Sequence, residues 1–318
     1  SQSDPEDLLA RCLSQLYCRI GDHLHETSYE NEFNYPLDID IKPMIEQLLN
    51  GQEPEVQPIN TYPYEYNSFT QQCLGSDLVI LVKSARRNFK RRVAIRRTWG
   101  SEHRFTNVTI TLVFFLGTAD DGLDAKINKE NKHYNDIVQS NFYDTYYNNT
   151  IKTMLTFKWA YIYCNSRYYL FSDDDMYISI VNLLKYINSI SSNELYSGYM
   201  FKSAPHRHYA SKWRVSLDEY PYDKWPPYVT AGAYIISSET LKRLYLGSLY
   251  TKHFRFDDIY LGLVARKAGV VLTHCNQFYF YKKTYRANDY KNVIASHGYG
   301  DQYELMKVWI EQNMLGYA

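Results

Sequence analysis

Several motifs that identify common protein classes are missing from this sequence of 318 residues. There is no Gly-rich dinucleotide fingerprint and no Walker loop, so neither a dinucleotide-binding enzyme nor a P-loop NTPase is indicated. The five cysteines show no CxxC pair and no zinc-ligand spacing. No run of about 18 apolar residues occurs, so no membrane span is predicted. Initiator Met and signal-peptide pattern are also missing, and a targeting segment is expected to lie outside the chain.

Charge is balanced in total but unevenly distributed. Residues 1–70 hold 13 acidic and 3 basic residues, whereas residues 71–318 hold 22 acidic and 32 basic residues. The positive excess favours anionic ligands such as nucleotides or nucleic acid, without choosing between them. Residues 1–50 are predicted to be partly helical, and residues 51–68, rich in Pro, Asn and Gln, are predicted to be a linker or extended strap. We therefore place a domain boundary near residue 70.

Strand and helix patterns alternate after this boundary. Apolar runs at 78–82 and 108–116 predict buried strands, and each is followed by a helical stretch. Residues 152–163 predict a helix that leads into a third strand at 168–171. This alternation predicts an α/β domain with a mainly parallel sheet, whose ligands bind at the carboxyl ends of the strands.

Three consecutive carboxylates, Asp173, Asp174 and Asp175, follow that third strand and precede another β-prone run. In an extended segment Asp173 and Asp175 would face one side and Asp174 the other. Like charges at this spacing repel one another unless a cation lies among them. Mg²⁺ or Mn²⁺ takes such oxygen ligands together with substrate phosphates. The sequence therefore favours a metal site over a solvated acidic turn.

Other candidate residues each have more than one interpretation. The eight basic residues from Lys83 to Arg97 indicate a nucleic-acid surface, a solvated helix face, or Arg92 and Arg96 meeting a phosphate-bearing ligand. Tryptophans in the Pro-containing segment 212–228 would form a sugar platform or anchor the loop by burial. Two acids open the apolar helix after residue 256, where one would cap the helix and the other would serve as a general base.

Six motifs, in order, resemble the β-1,3-galactosyltransferase family, which also includes β-1,3-N-acetylglucosaminyltransferases. They are RRVAIRRTWG (91–100), VFFLG (113–117), DIVQSNFYDTYYNNTIKT (136–153), FSDDDMYIS (171–179), KWRVSLDEYP with WPPY (212–228) and DDIYLG (257–262). The resemblance covers roughly residues 75–315. It implies a GT-A fold over residues 71–318: a single Rossmann-like α/β domain with a mixed central sheet and a loop-rich acceptor half. Residues 1–70 would be a stem or variable region.

The resemblance also implies an activity and a location. The activity would be inverting, Mn²⁺-dependent transfer of a sugar from a UDP-sugar, in β-1,3 linkage, to a glycan acceptor of a glycoprotein or glycolipid. Galactose is the first expectation for the sugar and N-acetylglucosamine the second. The location would be the Golgi lumen, with a membrane anchor outside this chain and without a nucleic-acid partner. A glycoside hydrolase and a metal-dependent lectin are the alternatives.

Site residues follow from the matched motif positions. Asp175 and His297 would bind the metal, and Asp258 would be the catalytic base. Residues expected on the donor side are Arg92, Arg96, Lys152, Asp173 and Asp174, and those expected around the sugars are Trp213, Trp225, Tyr228 and Asp257. Two sequons predict N-glycosylation, at Asn107 and Asn148. Asp257 departs from the family's usual Glu, and no disulfide pairing is implied.

Overall fold

The structure is a computed structural model that describes residues 39–68, 73–101 and 103–318. The predicted helical pattern within residues 1–38 lies outside this described part. The helices are α1 (Lys42–Leu49), α2 (Phe89–Arg97), α3 (Asp124–Tyr134), α4 (Asn149–Tyr163), α5 (Ile180–Asn188), α6 (Ser238–Ser248), α7 (Asp257–Ala268) and α8 (Gln302–Met314). The strands are β1 (Tyr66–Ser68), β2 (Leu74–Lys83), β3 (Ile110–Thr118), β4 (Ile137–Tyr143), β5 (Asn165–Asp173), β6 (Tyr177–Ile178), β7 (Tyr196–Phe201), β8 (Tyr228–Ser237), β9 (Thr273–His274), β10 (Phe278–Tyr279) and β11 (Ala295–Ser296).

A mixed sheet of eight strands forms the centre of the domain, in the order β1-β4-β3-β2-β5-β8-β7-β9. Strands β4, β3, β2 and β5 are parallel, whereas β8 runs antiparallel to β5 and to β7. The three predicted strands are β2, β3 and β5, so the predicted α/β class with a mixed sheet is confirmed. A second sheet consists of three short strands in the order β10-β11-β6. Its strand β6 is the next strand after β5 in the chain.

Hydrophobic residues are buried on both faces of the sheet, as expected for parallel strands covered by helices. Val79 and Leu81 of β2 pack on the side of α1, α4, α6 and α7. Leu78, Ile80 and Val82 alternate with them and pack on the side of α2, α3, α5 and α8. Because successive side chains of a strand point to opposite faces, one short apolar run supplies both layers of the core.

Part of the N-terminal region packs onto this domain. Ile45 in α1 is fully buried in the core layer formed with α6 and α7. Further along, the Asn60 amide Nδ2 donates to the carbonyl of Ser248 at 2.7 Å, and β1 pairs with β4 as the edge strand of the sheet. Residues 51–68, predicted to be a linker or extended strap, therefore contribute contacts to the domain. The domain boundary near residue 70 stays a prediction.

A disulfide joins Cys73, just before β2, to Cys164, just after α4. This pairing, which the sequence left open, links two segments that are 91 residues apart in the chain. Cys275 is a buried free thiol, and Cys12 and Cys18 lie outside the described residues. As for membrane spans, none of the described helices combines the length and the apolar character needed to cross a bilayer.

Candidate active site

The carboxyl ends of β2 and β5 lie side by side and bring Lys83 next to Asp173. The parallel register pairs these two residues, and Lys83 Nζ lies 3.5 Å from Asp173 Oδ1. Burial raises the pKa of Asp173 to about 6, although the ammonium of Lys83 opposes this rise. The acidic triplet therefore lies where the sequence predicted a ligand site, at the carboxyl edge of the sheet.

Asp174 is fully engaged by groups from the neighbouring loop and helix. Strand β5 ends at Asp173 and the next two residues form a turn, so the expected extended alternation stops there. Asp174 accepts hydrogen bonds from Ser84 Oγ at 2.7 Å, Asn88 Nδ2 at 2.9 Å and Arg91 Nη1 at 2.8 Å. With three donors on one carboxylate, Asp174 anchors the loop after β2. Asp174 also lines the cleft at this edge of the sheet, and its expected place on the donor side stays a prediction.

Asp175 and His297, the two predicted metal ligands, lie together. His297 Nε2 is 3.4 Å from Asp175 Oδ2, and Asp175 Oδ1 is buried without a hydrogen-bond partner. Burial acts to raise the pKa of Asp175, but His297, the charge of Arg91 and a backbone hydrogen bond together place the pKa below the usual value. Within the described residues no group of three or more acids, histidines or cysteines is placed to hold a metal. One carboxylate and one imidazole fit an ion that takes its other ligands from phosphates and water.

The acidic triplet opens into a cleft of about 660 Å³ that also carries cationic side chains. Lys152, predicted on the donor side, lies in this cleft and is buried. Its Nζ donates to Asp144 Oδ2 at 2.7 Å and to the carbonyl of Ser84 at 2.8 Å. Burial lowers the pKa of Lys152 despite the neighbouring Asp144. Acids and cations that line one cleft suit a diphosphate that is accompanied by a divalent cation.

Arg92 and Arg96 do not line this cleft, contrary to prediction. Arg92 is fully buried and donates to the carbonyls of Ala85 at 2.9 Å and Arg86 at 3.2 Å. Both guanidinium groups also pair with Glu130, at 2.7 Å and 2.8 Å. They share one helix face, as their spacing predicted, but that face meets carboxylates and backbone carbonyls of the protein itself. Arg92 holds the loop after β2 in place, and Arg96 joins Glu130 to Asp136.

Asp257 and Asp258 begin α7 and have different environments. Asp257 is buried, and its Oδ2 accepts from Lys83 Nζ at 2.6 Å and from Thr153 Oγ1 at 2.8 Å. Asp258 is half-buried, and burial together with the adjacent Asp257 charge raises the pKa of Asp258 to about 7. The helix cap is Phe256, which makes no side-chain cap bond, while Asp258 Oδ1 accepts from the backbone N–H of Ile259 in the first turn at 2.8 Å. One acid is held ionised and the other is poised to exchange a proton near neutral pH.

A second cavity of about 560 Å³ lies in front of the two acids and is mostly aromatic. It contains all four residues that were predicted around the sugars: Trp213, Trp225, Tyr228 and Asp257. Trp213 is 46% exposed, whereas Trp225 is only 5% exposed and packs against neighbouring aromatic rings. The anchoring interpretation therefore holds for Trp225, whereas a sugar platform at the exposed Trp213 stays a prediction.

Sequence reasoning missed several residues of the cleft. Lys83, Arg86, Asp144 and Tyr146 line it, and Arg91 reaches Asp174 from its rim. A signal for two of them was present, because Lys83 and Arg86 follow the predicted strand at 78–82. The rule that ligands bind at the carboxyl ends of parallel strands applies to this strand as well as to β5.

The two predicted glycosylation sites differ in exposure. Asn107 is exposed in the loop before β3. Asn148 is half-buried beside the cleft, and its Nδ2 donates to the carbonyl of Tyr143 at 2.8 Å. Glycosylation at both positions stays a prediction.

Comparison with known proteins agrees with this arrangement. The family model described as galactosyltransferase matches residues 90–276. The Drosophila melanogaster protein "Beta-1,3-galactosyltransferase brn" is 44% identical and covers 100% of both chains. The human "Lactosylceramide 1,3-N-acetyl-beta-D-glucosaminyltransferase" is 31% identical, over 90% of this chain and 78% of its own length. Among solved structures, the galactosyltransferase LgtC with donor and acceptor sugar analogs is 11% identical with a TM-score of 0.39, over 76% of this chain and 100% of that one.

The family match decides between the alternatives that the sequence left open. It spans more than half of the chain, and it includes the acidic triplet and the acid pair of α7. The α/β domain with a mixed sheet agrees with the expected GT-A fold. A glycosyltransferase is therefore supported over a hydrolase or a lectin. The chain belongs to the galactosyltransferase family and is a glycosyltransferase.

Proposed function

We propose that this enzyme transfers a sugar from a UDP-sugar to a 3-hydroxyl of a glycan acceptor, with inversion and with Mn²⁺. One observation carries the proposal. The cleft of about 660 Å³ at the acidic triplet, called the charged cleft, adjoins the cavity of about 560 Å³ at Asp257 and Asp258, called the aromatic cavity, and the two share lining residues. A nucleotide diphosphate in the first and an acceptor sugar in the second would approach each other beside Asp258. An inverting displacement needs this separation, because the leaving group and the incoming hydroxyl lie on opposite sides of the anomeric carbon.

Asp175 and His297 are the residues that would hold Mn²⁺. The carboxylate oxygen of Asp175 that lacks a partner supports this role, since a buried polar atom is normally satisfied. When bound, the ion would supply Lewis-acid stabilisation of the charge that develops on the departing UDP. Lys152 and Arg86, which also line the cleft, would interact with the same diphosphate.

Asp258 would take the proton of the acceptor hydroxyl as that hydroxyl attacks. A pKa of about 7 suits a general base that works near neutral pH. Asp257 would not exchange a proton, because Lys83 and Thr153 hold its carboxylate. General-base action of this kind contributes about 10²–10⁴ in rate.

Galactose is the proposed sugar. The support is the 44% identity over the full length to a protein named as a β-1,3-galactosyltransferase. N-acetylglucosamine is the second candidate, because a relative named as an N-acetylglucosaminyltransferase covers 90% of the chain at 31% identity. For the acceptor, an aromatic cavity with one open tryptophan suits the face of a sugar ring.

The proposed location is the lumen of the Golgi, with a membrane anchor outside this chain. The Cys73–Cys164 disulfide supports an oxidising compartment. The exposed sequon at Asn107 is compatible with passage through the secretory pathway.

A donor screen tests the proposal. Release of UDP would be measured with UDP-galactose, UDP-N-acetylglucosamine and UDP-glucose, each with a β-linked glycan acceptor, in Mn²⁺ and in EDTA. We expect UDP-galactose to be used in Mn²⁺ and activity to be lost in EDTA. Equal activity in EDTA would contradict the metal role, and a preference for UDP-N-acetylglucosamine would assign the second sugar.

A further inference from the structure

Two residues on one turn of the chain line both cavities. Tyr146 lies in the short 3₁₀ helix Tyr146–Asn148, and Asn149 is the first residue of α4. Of the residues that the structure describes, these two border the charged cleft as well as the aromatic cavity. They therefore mark the junction through which the two cavities connect.

The backbone of this turn is firmly held. Asn148 donates through its backbone N–H to the Thr145 carbonyl at 3.0 Å and through its side chain to the Tyr143 carbonyl at 2.8 Å. One helical turn later, Lys152 reaches Asp144 in the cleft, and Thr153 reaches Asp257 at the start of α7. The first turns of α4 are thus bonded to Asp144 in the charged cleft and to Asp257 of the acid pair.

The side chains at the junction are free to meet a ligand. Tyr146 is 70% exposed, although it lies between two cavities. Tyr147, which is 75% exposed, packs edge-on against it with 5.9 Å between the ring centroids. The side-chain amide of Asn149 makes no hydrogen bond to any part of the chain that the structure describes. An open aromatic face and an unsatisfied amide are the two kinds of group that bind a sugar ring.

The reaction places the transferred sugar at this junction. The anomeric carbon must lie between the diphosphate in the charged cleft and the acceptor hydroxyl beside Asp258. We infer that Tyr146 and Asn149 contact the sugar that is being transferred and determine which sugar the enzyme accepts. The ring of Tyr146 covers one face of that sugar, and the amide of Asn149 hydrogen-bonds to one of its hydroxyls. This inference rests on the proposed function, because it requires a nucleotide sugar in the charged cleft.

An amide can select a sugar because an amide that covers a bound sugar without a hydrogen-bond partner makes the binding free energy less favourable. A site built to hydrogen-bond a substrate hydroxyl rejects an analogue that lacks or reorients that hydroxyl. The sugar is the part of the donor that distinguishes UDP-galactose from UDP, so its contacts are separable from those of the nucleotide.

Calorimetry with UDP and with UDP-galactose, each in Mn²⁺ and without acceptor, tests the inference. The variants are Tyr146→Ala and Asn149→Ala, with Tyr147→Ala as the matched control because it removes a ring of similar exposure from the same turn. All three keep the sequon of Asn148 and Thr150 intact, so any glycan is unaffected. We expect about tenfold weaker binding of UDP-galactose in the two test variants, with UDP binding unchanged.

Two results would overturn the inference. One is equal weakening of UDP and UDP-galactose, which would make these residues nucleotide contacts. The other is a Tyr147→Ala effect as large as that of Tyr146→Ala, which would assign the effect to the turn as a whole.

Transfer kinetics provide a second readout. The ratio of kcat/KM for UDP-galactose to that for UDP-N-acetylglucosamine is expected to change by about tenfold in Asn149→Ala. An unchanged ratio would contradict a role in selection. A wild-type protein that binds UDP-galactose but transfers to no acceptor would count against the proposed function, while the binding comparison would still decide the sugar contact.

Discussion

Lys83 Nζ lies 2.6 Å from Asp257 Oδ2, where the carboxyl end of β2 meets the start of α7. The same ammonium is buried and lies 3.5 Å from Asp173, whose side chain is partly exposed in the cleft. Lys83 therefore connects the strand edge that carries the acidic triplet with the helix that carries Asp258. Because it neutralises Asp257, one acid of the pair stays ionised and the adjacent acid is left to exchange protons.

Lys83→Met is expected to destabilise the protein and to shift its pH profile. Removing one partner of a buried ion pair costs about 3–5 kcal/mol in free energy of unfolding, measured by urea denaturation. Lys83 also lowers the pKa of Asp258, so its removal should move the acid limb of kcat/KM to higher pH. Thr153→Val is the control, since it removes a hydrogen bond to Asp257 but keeps the positive charge. Loss of activity by the same factor at every pH would contradict the electrostatic role.

Asp258 should also leave a signature in the pH dependence of stability. Its folded pKa of about 7 lies above the unfolded value of about 3.9, so the folded state disfavours the ionised form. Stability from this group is therefore lost as the pH rises from about 4 to about 7. Asp258→Asn should raise the free energy of unfolding by ~1–2 kcal/mol at pH 8 and by less at pH 5. An equal gain at both pH values would contradict the raised pKa.

Much of the site was predictable because local rules and tertiary packing agree there. Asp175 and His297 are far apart in sequence, yet a motif match sufficed to pair them. Asp258 followed from the same match, and its different environment from Asp257 follows from Lys83, which sequence reasoning left unassigned. The pairing between the end of β2 and the start of α7 is a long-range contact that no local pattern encodes.

The spacing of Arg92 and Arg96 predicted correctly that they share one helix face. The spacing could not predict whether this face contacts a ligand or other residues of the protein. Glu130 of α3 and the carbonyls after β2 occupy it, since a fully buried guanidinium needs charge and hydrogen-bond partners within the protein. The acidic triplet shows the same limit: strand propensity predicted extended alternation, but mutual repulsion is relieved by a turn that gives each acid a different partner.

Arg92→Met is expected to act on stability, since Arg92 supports the loop rather than the ligand. It would leave two loop carbonyls without their buried donor and Glu130 with Arg96 as its remaining partner, at a cost of about 3–5 kcal/mol in urea denaturation. Arg87→Met, at an exposed position of the same loop, should change stability by less than about 0.5 kcal/mol. Equal effects of the two variants would argue against the assignment of Arg92.

The Cys73–Cys164 disulfide should contribute to stability. Joining segments 91 residues apart restricts the unfolded chain, and such links typically stabilise by about 2–4 kcal/mol. The Cys73→Ser/Cys164→Ser variant is expected to unfold at lower temperature in calorimetry. A reductant should lower the unfolding temperature of the wild-type protein by the same amount and leave that of the variant unchanged, which would confirm this bond as the source. An unfolding temperature of the variant equal to that of the wild type would contradict the prediction.

The most direct test compares Asp258→Asn with Asp175→Ala in two measurements: turnover with the best UDP-sugar, and calorimetric binding of UDP in Mn²⁺. Asp258→Asn should lower kcat by about 10²–10⁴ and leave UDP affinity within about twofold of wild type. Asp175→Ala should lose the Mn²⁺-dependent part of UDP binding. Wild-type turnover in Asp258→Asn, or UDP binding lost to the same extent in both variants, would contradict the division of this site into a metal-dependent donor cleft and a separate base.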